Sequence, residues 1–196
     1  MKKVFKNTRS MTILAVMLAI TIILDVTPLG AIPLGSISAT ILHIPTIITA
    51  LIAGPVAGLI MGTLLGLVSL LHALTRPVTP LDPLFINPLV SVLPRMFIGV
   101  VAYYVYVGIR TLFRKDRAGE TVSALLAGAV GSLTNTALVF LMLYLVYAQR
   151  VVEIVGAAFN VIILTVFTTN AIAEAVISAI VTAAILLAYK NYSRKK

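Results

Sequence analysis

Cysteine is absent from the 196 residues, so neither disulfides nor thiolate metal sites are available. Charge is scarce as well. Charged residues make up 11% of the chain, against about a quarter in a soluble domain. Hydrophobic residues reach 60% and the mean hydropathy is +1.11. Such a chain cannot coat itself with a polar surface, and composition marks it as an integral membrane protein. Also missing are a Gly-rich ATP loop with its lysine, an H-E-x-x-H pair, paired aspartates and a nucleophile elbow. The chain is therefore expected to be no enzyme and to carry no soluble domain. His43 and His72 are not at metal-ligand spacing, so neither a metal nor a cofactor is expected.

What is present is apolar length. Six hydrophobic runs predict transmembrane helices at about 10–25, 41–54, 56–74, 84–112, 121–147 and 157–189, forming one transmembrane domain over 1–196. A bilayer core takes about 20 helical residues. Backbone groups in lipid must pair internally, and the alternating pattern of a barrel is absent, so the fold expected is an all-α bundle. The second and third helices meet at Gly54-Pro55. Twelve of the 15 basic residues fall in three clusters: ahead of helix 1, between helices 4 and 5, and at the C-terminus. With six spans all three lie on one side, which the positive-inside rule makes cytoplasmic, both termini included. The net charge of +9 is then a topology signal, and nucleic acid is not an expected partner. The basic head and apolar core of the first 24 residues also resemble a signal peptide; retention as helix 1 is the reading preferred here.

Loop 1–2, "DVTPLGAIPLGSISAT" (Asp25–Thr40), is long, rich in Gly and Pro, and free of Lys and Arg. It reads as a connector or as a short hairpin over the membrane face. Loops 3–4 and 5–6 are expected at Thr75–Pro83 and Ala148–Gly156. Small residues recur every fourth position at Ala15 and Ala19, at Gly54, Gly58, Gly62 and Gly66, and at Ala171, Ala175, Ala179 and Ala183. Such stripes let helices approach closely in lipid. The glycine stripe and the helix 6 stripe read as packing inside the bundle, whereas the helix 1 pair can face another protein.

The polar residues inside the membrane carry the functional signal. Asn87, Ser91 and Arg95 are spaced i, i+4, i+8 and predict one polar stripe on helix 4, with Pro94 beside it. Arg95 falls near mid-depth, where an arginine costs at least about 2.5–3.5 kcal/mol and keeps its proton. Two readings stay open: a buried ion pair with Glu174 of helix 6, or a spare fork of donors for an anionic ligand group. His72, Asn135 and Asn170 join Asn87, Ser91, Arg95 and Glu174 as candidate substrate-binding residues, in an outer half that is polar over a plainer inner half.

These features resemble the substrate-binding S components of energy-coupling factor (ECF) vitamin transporters over about residues 8–190. The resemblance rests on six short-looped helices, the long outer loop 1–2, "AVMLA" (Ala15–Ala19) as an AxxxA motif, and two stretches like those of pantothenate-type members. The stretches are "HIPTIITALIAGPVAGLIMGTLLGLVSLL" and "PLDPLFINPLVSVLPRMFIGVVAY". The resemblance implies an S-component-like bundle in the cell membrane that binds a small-molecule vitamin. It also implies a membrane scaffold subunit and two cytoplasmic ATPase subunits as partners, with Ala15 and Ala19 meeting the scaffold. Pantothenate is the vitamin expected; riboflavin, hydroxymethylpyrimidine and folate are the alternatives, as is a stand-alone secondary transporter using Glu174 as proton carrier. Arg95 would suit the carboxylate of pantothenate. The absence of tryptophan removes the aromatic stacking common in thiamin binders.

Overall fold

The computed structural model describes residues 7–27, 30–34, 37–112, 117–157, 161, 165 and 170–194. Helix α1 spans Thr8–Val26 and leads to a hairpin of β1 (Ala31–Leu34) and β2 (Ile37–Thr40), antiparallel with Ala31 opposite Thr40. Helices α2 (Ile44–Ala53) and α3 (Pro55–Thr75) follow. A 3-10 turn at Asp82–Ile86, a short α4 (Pro88–Ser91), α5 (Leu93–Leu112), α6 (Arg117–Val155) and α7 (Ile172–Arg194) complete the order. Of the two readings of loop 1–2, connector or short hairpin, the structure has the hairpin. Five of the helical segments are long and apolar enough to cross a membrane, and α2 is a shorter apolar helix beside them.

Local chemistry explains the breaks. Gly54 sits at φ 93°, a conformation open to glycine, and Pro55 starts α3 where no amide hydrogen is needed. The chain reverses there, which brings Gly58 onto Ala50 of α2. At about 15 Å, α2 is half as long as the ~30 Å bilayer core. It therefore leaves the hairpin end of the bundle open above its first residue, and Thr40 and Leu42 just before it border a cavity there.

Two expected boundaries are corrected. Helix 4 (84–112) is not continuous: the prolines at 83, 88 and 94 divide it into the 3-10 turn, α4 and α5. Loop 5–6 (Ala148–Gly156) is helical through Val155, because α6 continues past a kink at Tyr147 and ends at Gly156 with φ 71°. Beyond the kink, Val151 is fully buried against a cluster that includes Leu81, Leu84 and Val90, so tertiary packing stabilises turns that hydropathy alone reads as a connector. Helix 6 is described from Asn170; the rest of its expected start at 157–169 lies largely outside the described residues.

The glycine stripe packs α3 on α5 in antiparallel register. Gly58 meets Gly99, Gly62 meets the backbone of Arg95 and Met96, and Gly66 meets Val92. Ala171, just before α7, and Ala175 and Ala183 within it are buried, and Ala179 lies against Gly128 of α6. Ile47, Leu51, Leu65, Ile98, Ala102 and Leu186 form the central core beside them. Helix α1 packs only one side on α3, through Leu14 against Ala57 and Met61, and both Ala15 and Ala19 are exposed.

The first turn of α1 meets the last turns of α7. Arg9 Nε donates to Tyr189 Oη at 2.9 Å, with the guanidinium 5.3 Å from the ring centre. Close by in sequence, Lys190 Nζ forms an ion pair with Glu120 at 2.5 Å and donates to Tyr106 Oη. Glu120 is buried, so the end expected to be plain contains a charged tie between α5, α6 and α7.

Because a Cβ at Gly62 would run into the Arg95 and Met96 backbone, Gly62→Val should force α3 from α5. The expected loss is about 1–3 kcal/mol, the usual cost of overpacking. A thermal or denaturant melt in detergent reads it; an unchanged midpoint would refute this packing role.

Candidate functional site

At the hairpin end, a cavity of about 520 Å³ opens between α1, β2, α3, α5, α6 and α7. That volume suits a small organic ligand. Its wall mixes apolar groups such as Phe85, Val139, Phe140 and Leu143 with polar ones projecting from several helices.

Arg95 enters this wall by way of a broken helix. Pro94 has no amide hydrogen to give the preceding turn, which leaves the Val90 carbonyl without its helical donor. Arg95 Nη1 donates to that carbonyl at 2.6 Å. Nη2 lies 3.5 Å from Ser69 Oγ on α3, and the guanidinium rests 5.0 Å from the Phe85 ring centre, a cation–π contact. These contacts fix the fork while leaving donors toward the cavity.

Glu174, one of the first residues of α7, is also buried and lines the cavity. Among the described residues no ion pair joins it to Arg95. Its Oε1 instead accepts the backbone N–H of Thr40, the last residue of β2, at 2.5 Å. The ion-pair reading of Arg95 therefore does not describe this structure: Pro94 supplies Arg95 with a carbonyl, and the hairpin supplies Glu174 with a donor.

The other carboxylates of the wall are occupied. Asp25, at the end of α1, lies 2.7 Å from Arg76 Nη2 and 3.0 Å from His72 Nδ1. Asp82 accepts from Val78 N, Thr79 N and Thr79 Oγ1, which shapes the turn after α3. Asn135 faces the cavity from α6 with Oδ1 unpartnered among the described residues.

Of the residues expected from sequence, His72, Arg95, Asn135, Asn170 and Glu174 come together on this wall. Asn87 and Ser91 do not. Asn87 stands before α4 in an extended conformation as its N-cap, and neither it nor Ser91 lines the cavity, so the i, i+4, i+8 stripe is not one helical face. Asn87 instead caps α4 through Leu89 N and donates to Tyr147 Oη beside the α6 kink. Ser91 is fully buried and donates to the Asn87 carbonyl. Sequence reasoning missed Thr40 and Arg76 as cavity residues. Arg76 had a readable signal, since it follows His72 by four residues. Thr40 had none, because its contribution is a backbone N–H.

A family model described as "ECF transporter, substrate-specific component" matches residues 9–186. The chain is also similar to the Pantothenic acid transporter PanT of Lactococcus lactis subsp. cremoris (strain MG1363), 28% identical over 164 residues that cover 76% of each chain.

The Asp25 carboxylate holds the hairpin-side ends of α1 and α3 together, and Asp25→Ala should loosen them. Arg76 and His72 are partly exposed, so the loss is expected at about 1–2 kcal/mol. A melt of the purified protein checks it, and a charge-neutral outcome within error would argue against the tie.

Proposed function

The chain belongs to the family of ECF transporter substrate-specific components, and on that premise we propose that it is a high-affinity subunit capturing pantothenate for import. Members of this family are transport subunits that bind a small-molecule vitamin and work with ECF module partners; they are not enzymes. The observation that carries the substrate reading is Arg95, a guanidinium held on the wall of a ligand-sized cavity with donors to spare. A carboxylate is the group that uses such a fork best. Pantothenate has that carboxylate together with hydroxyls and an amide, which suit His72, Asn135, Asn170 and Glu174. The name of the Lactococcus relative supports the same choice.

The arrangement fits capture from outside. The basic clusters favour a cytoplasmic position for both termini in the cell membrane, and the cavity opens at the opposite, hairpin end. Energy would come from a membrane scaffold subunit and two cytoplasmic ATPases. The exposed Ala15 and Ala19 would give the scaffold a flat strip on α1, where close backbone approach tolerates no bulk.

Two experiments test this. Arg95→Met should weaken pantothenate binding about thirty- to several-thousand-fold, the range for breaking one side of a desolvated charge pair at about 2–5 kcal/mol. Its alcohol analogue panthenol should lose far less, and Arg95→Lys should fall between. Calorimetric titration of the purified protein measures all three; no pantothenate binding by the unmutated protein would remove the substrate while leaving the family. For the partner surface, replacing Ala15 and Ala19 together with Trp should abolish uptake in cells but spare binding by the isolated subunit. Equal loss of both would indicate a folding role instead.

A further inference from the structure

Resting on the pantothenate reading, we propose that Glu174 selects ligands bearing hydroxyl donors and, through Thr40, makes the hairpin responsive to that selection. Two of the three carboxylates on the wall are already used. Asp25 is engaged by His72 and Arg76, and Asp82 by its own turn. Glu174 differs: Oε1 is held by Thr40 N, while Oε2 has no partner among the described residues and the side chain borders the cavity. With Oε1 already accepting from Thr40, Oε2 is the carboxyl oxygen left to meet a ligand donor.

Arg95 and Glu174 border one cavity, and on the pantothenate reading Arg95 takes the ligand anion. The part of the ligand left for Glu174 is the end remote from the anion. In pantothenate that end carries two hydroxyls, each an O–H donor. Asn135 adds an unpartnered acceptor, Oδ1, on the same wall. The site thus has one fork of donors and two free acceptors, the complement of an acid with a hydroxylated far end.

The second half of the inference follows from geometry. The carboxylate that meets the ligand is the one that holds the end of β2. A hydroxyl on Oε2 fixes the Glu174 rotamer and thereby the acceptor that Thr40 needs. A ligand without hydroxyls leaves that rotamer free, and the hairpin is held less often.

Glu174→Gln separates the two contacts. If the amide oxygen keeps Thr40, an NH2 group now faces the ligand hydroxyls; if it turns round, the Thr40 bond is lost. Titrations would compare pantothenate with an analogue whose two hydroxyls are replaced by hydrogen. The expected result is that the substitution costs pantothenate roughly 10- to 150-fold, as for loss of a charged hydrogen bond, and leaves the analogue within about threefold. Equal weakening of both ligands, or of neither, overturns the inference. Should Glu174→Gln fail to fold, amide hydrogen exchange on the unmutated protein decides: pantothenate should slow exchange at residues 37–40 more than the analogue does. Equal protection by the two overturns it. Absence of pantothenate binding by the unmutated protein overturns the substrate reading and this inference with it, whereas normal binding with an unchanged preference overturns this inference alone.

Discussion

The contact between Arg95 Nη1 and the Val90 carbonyl organises the hairpin end of the bundle. A proline in an apolar helix leaves one carbonyl unpaired, and in lipid such a group costs several kcal/mol. An arginine at the same depth is costly for the opposite reason, as a charge without water. Placed next to each other, the two defects cancel in part. The carbonyl gains a charged donor, and the guanidinium gains a fixed acceptor plus the Phe85 ring. The pairing lets α5 run on as a regular helix past the proline and sets the fork on the cavity wall.

Packing on both sides makes that break rigid. Gly62 and Gly66 of α3 approach the backbone at Arg95 and Val92 so closely that a side chain on either glycine would collide. On the other flank, Asn87 reaches Tyr147, where α6 bends over the cluster of Leu84, Val90 and Val151. The same pattern of small groups and satisfied polar groups continues along α7. Ser178 donates to the Gly128 carbonyl, and further on Lys190 meets Glu120 and Tyr106. A polar line at four-residue spacing, Asn170, Glu174, Ser178 and Thr182, therefore runs inward from the cavity between α6 and α7. In a membrane, where apolar groups find lipid as congenial as protein, such bonds and close approaches hold helices together.

The division of labour between the ends of the molecule follows from helix length. Since α2 is about half a bilayer long, one end of the bundle is closed by six helical segments and the other is left to a cavity and a hairpin. The closed end carries the charged ties and the chain termini. The open end carries groups from α1, β2, α3, α5, α6 and α7 around one space.

Much of this was legible in the residues themselves. Composition forced the membrane, run lengths pointed to long apolar helices, and Gly54-Pro55 announced a reversal, because each depends only on local chemistry and solvent transfer. The chemical types of the site were legible too, since a buried arginine, a glutamate and amides in apolar helices demand partners. Which atoms meet was another matter. Asn87, Ser91 and Arg95 share a face only on an unbroken helix, and the break at Val92 sent the first two to capping and packing. Arg95 and Glu174 look like an ion pair until the fold offers each a nearer backbone partner, Val90 for one and Thr40 for the other. The extension of α6 beyond Tyr147 depends on a cluster drawn from segments some sixty residues apart. Sequence determined the solvent, the spans and the inventory of polar groups, because those are properties of residues and their near neighbours. Tertiary structure decided the pairing, because a backbone carbonyl freed by a proline, or an N–H at the end of a hairpin, has no letter in the sequence.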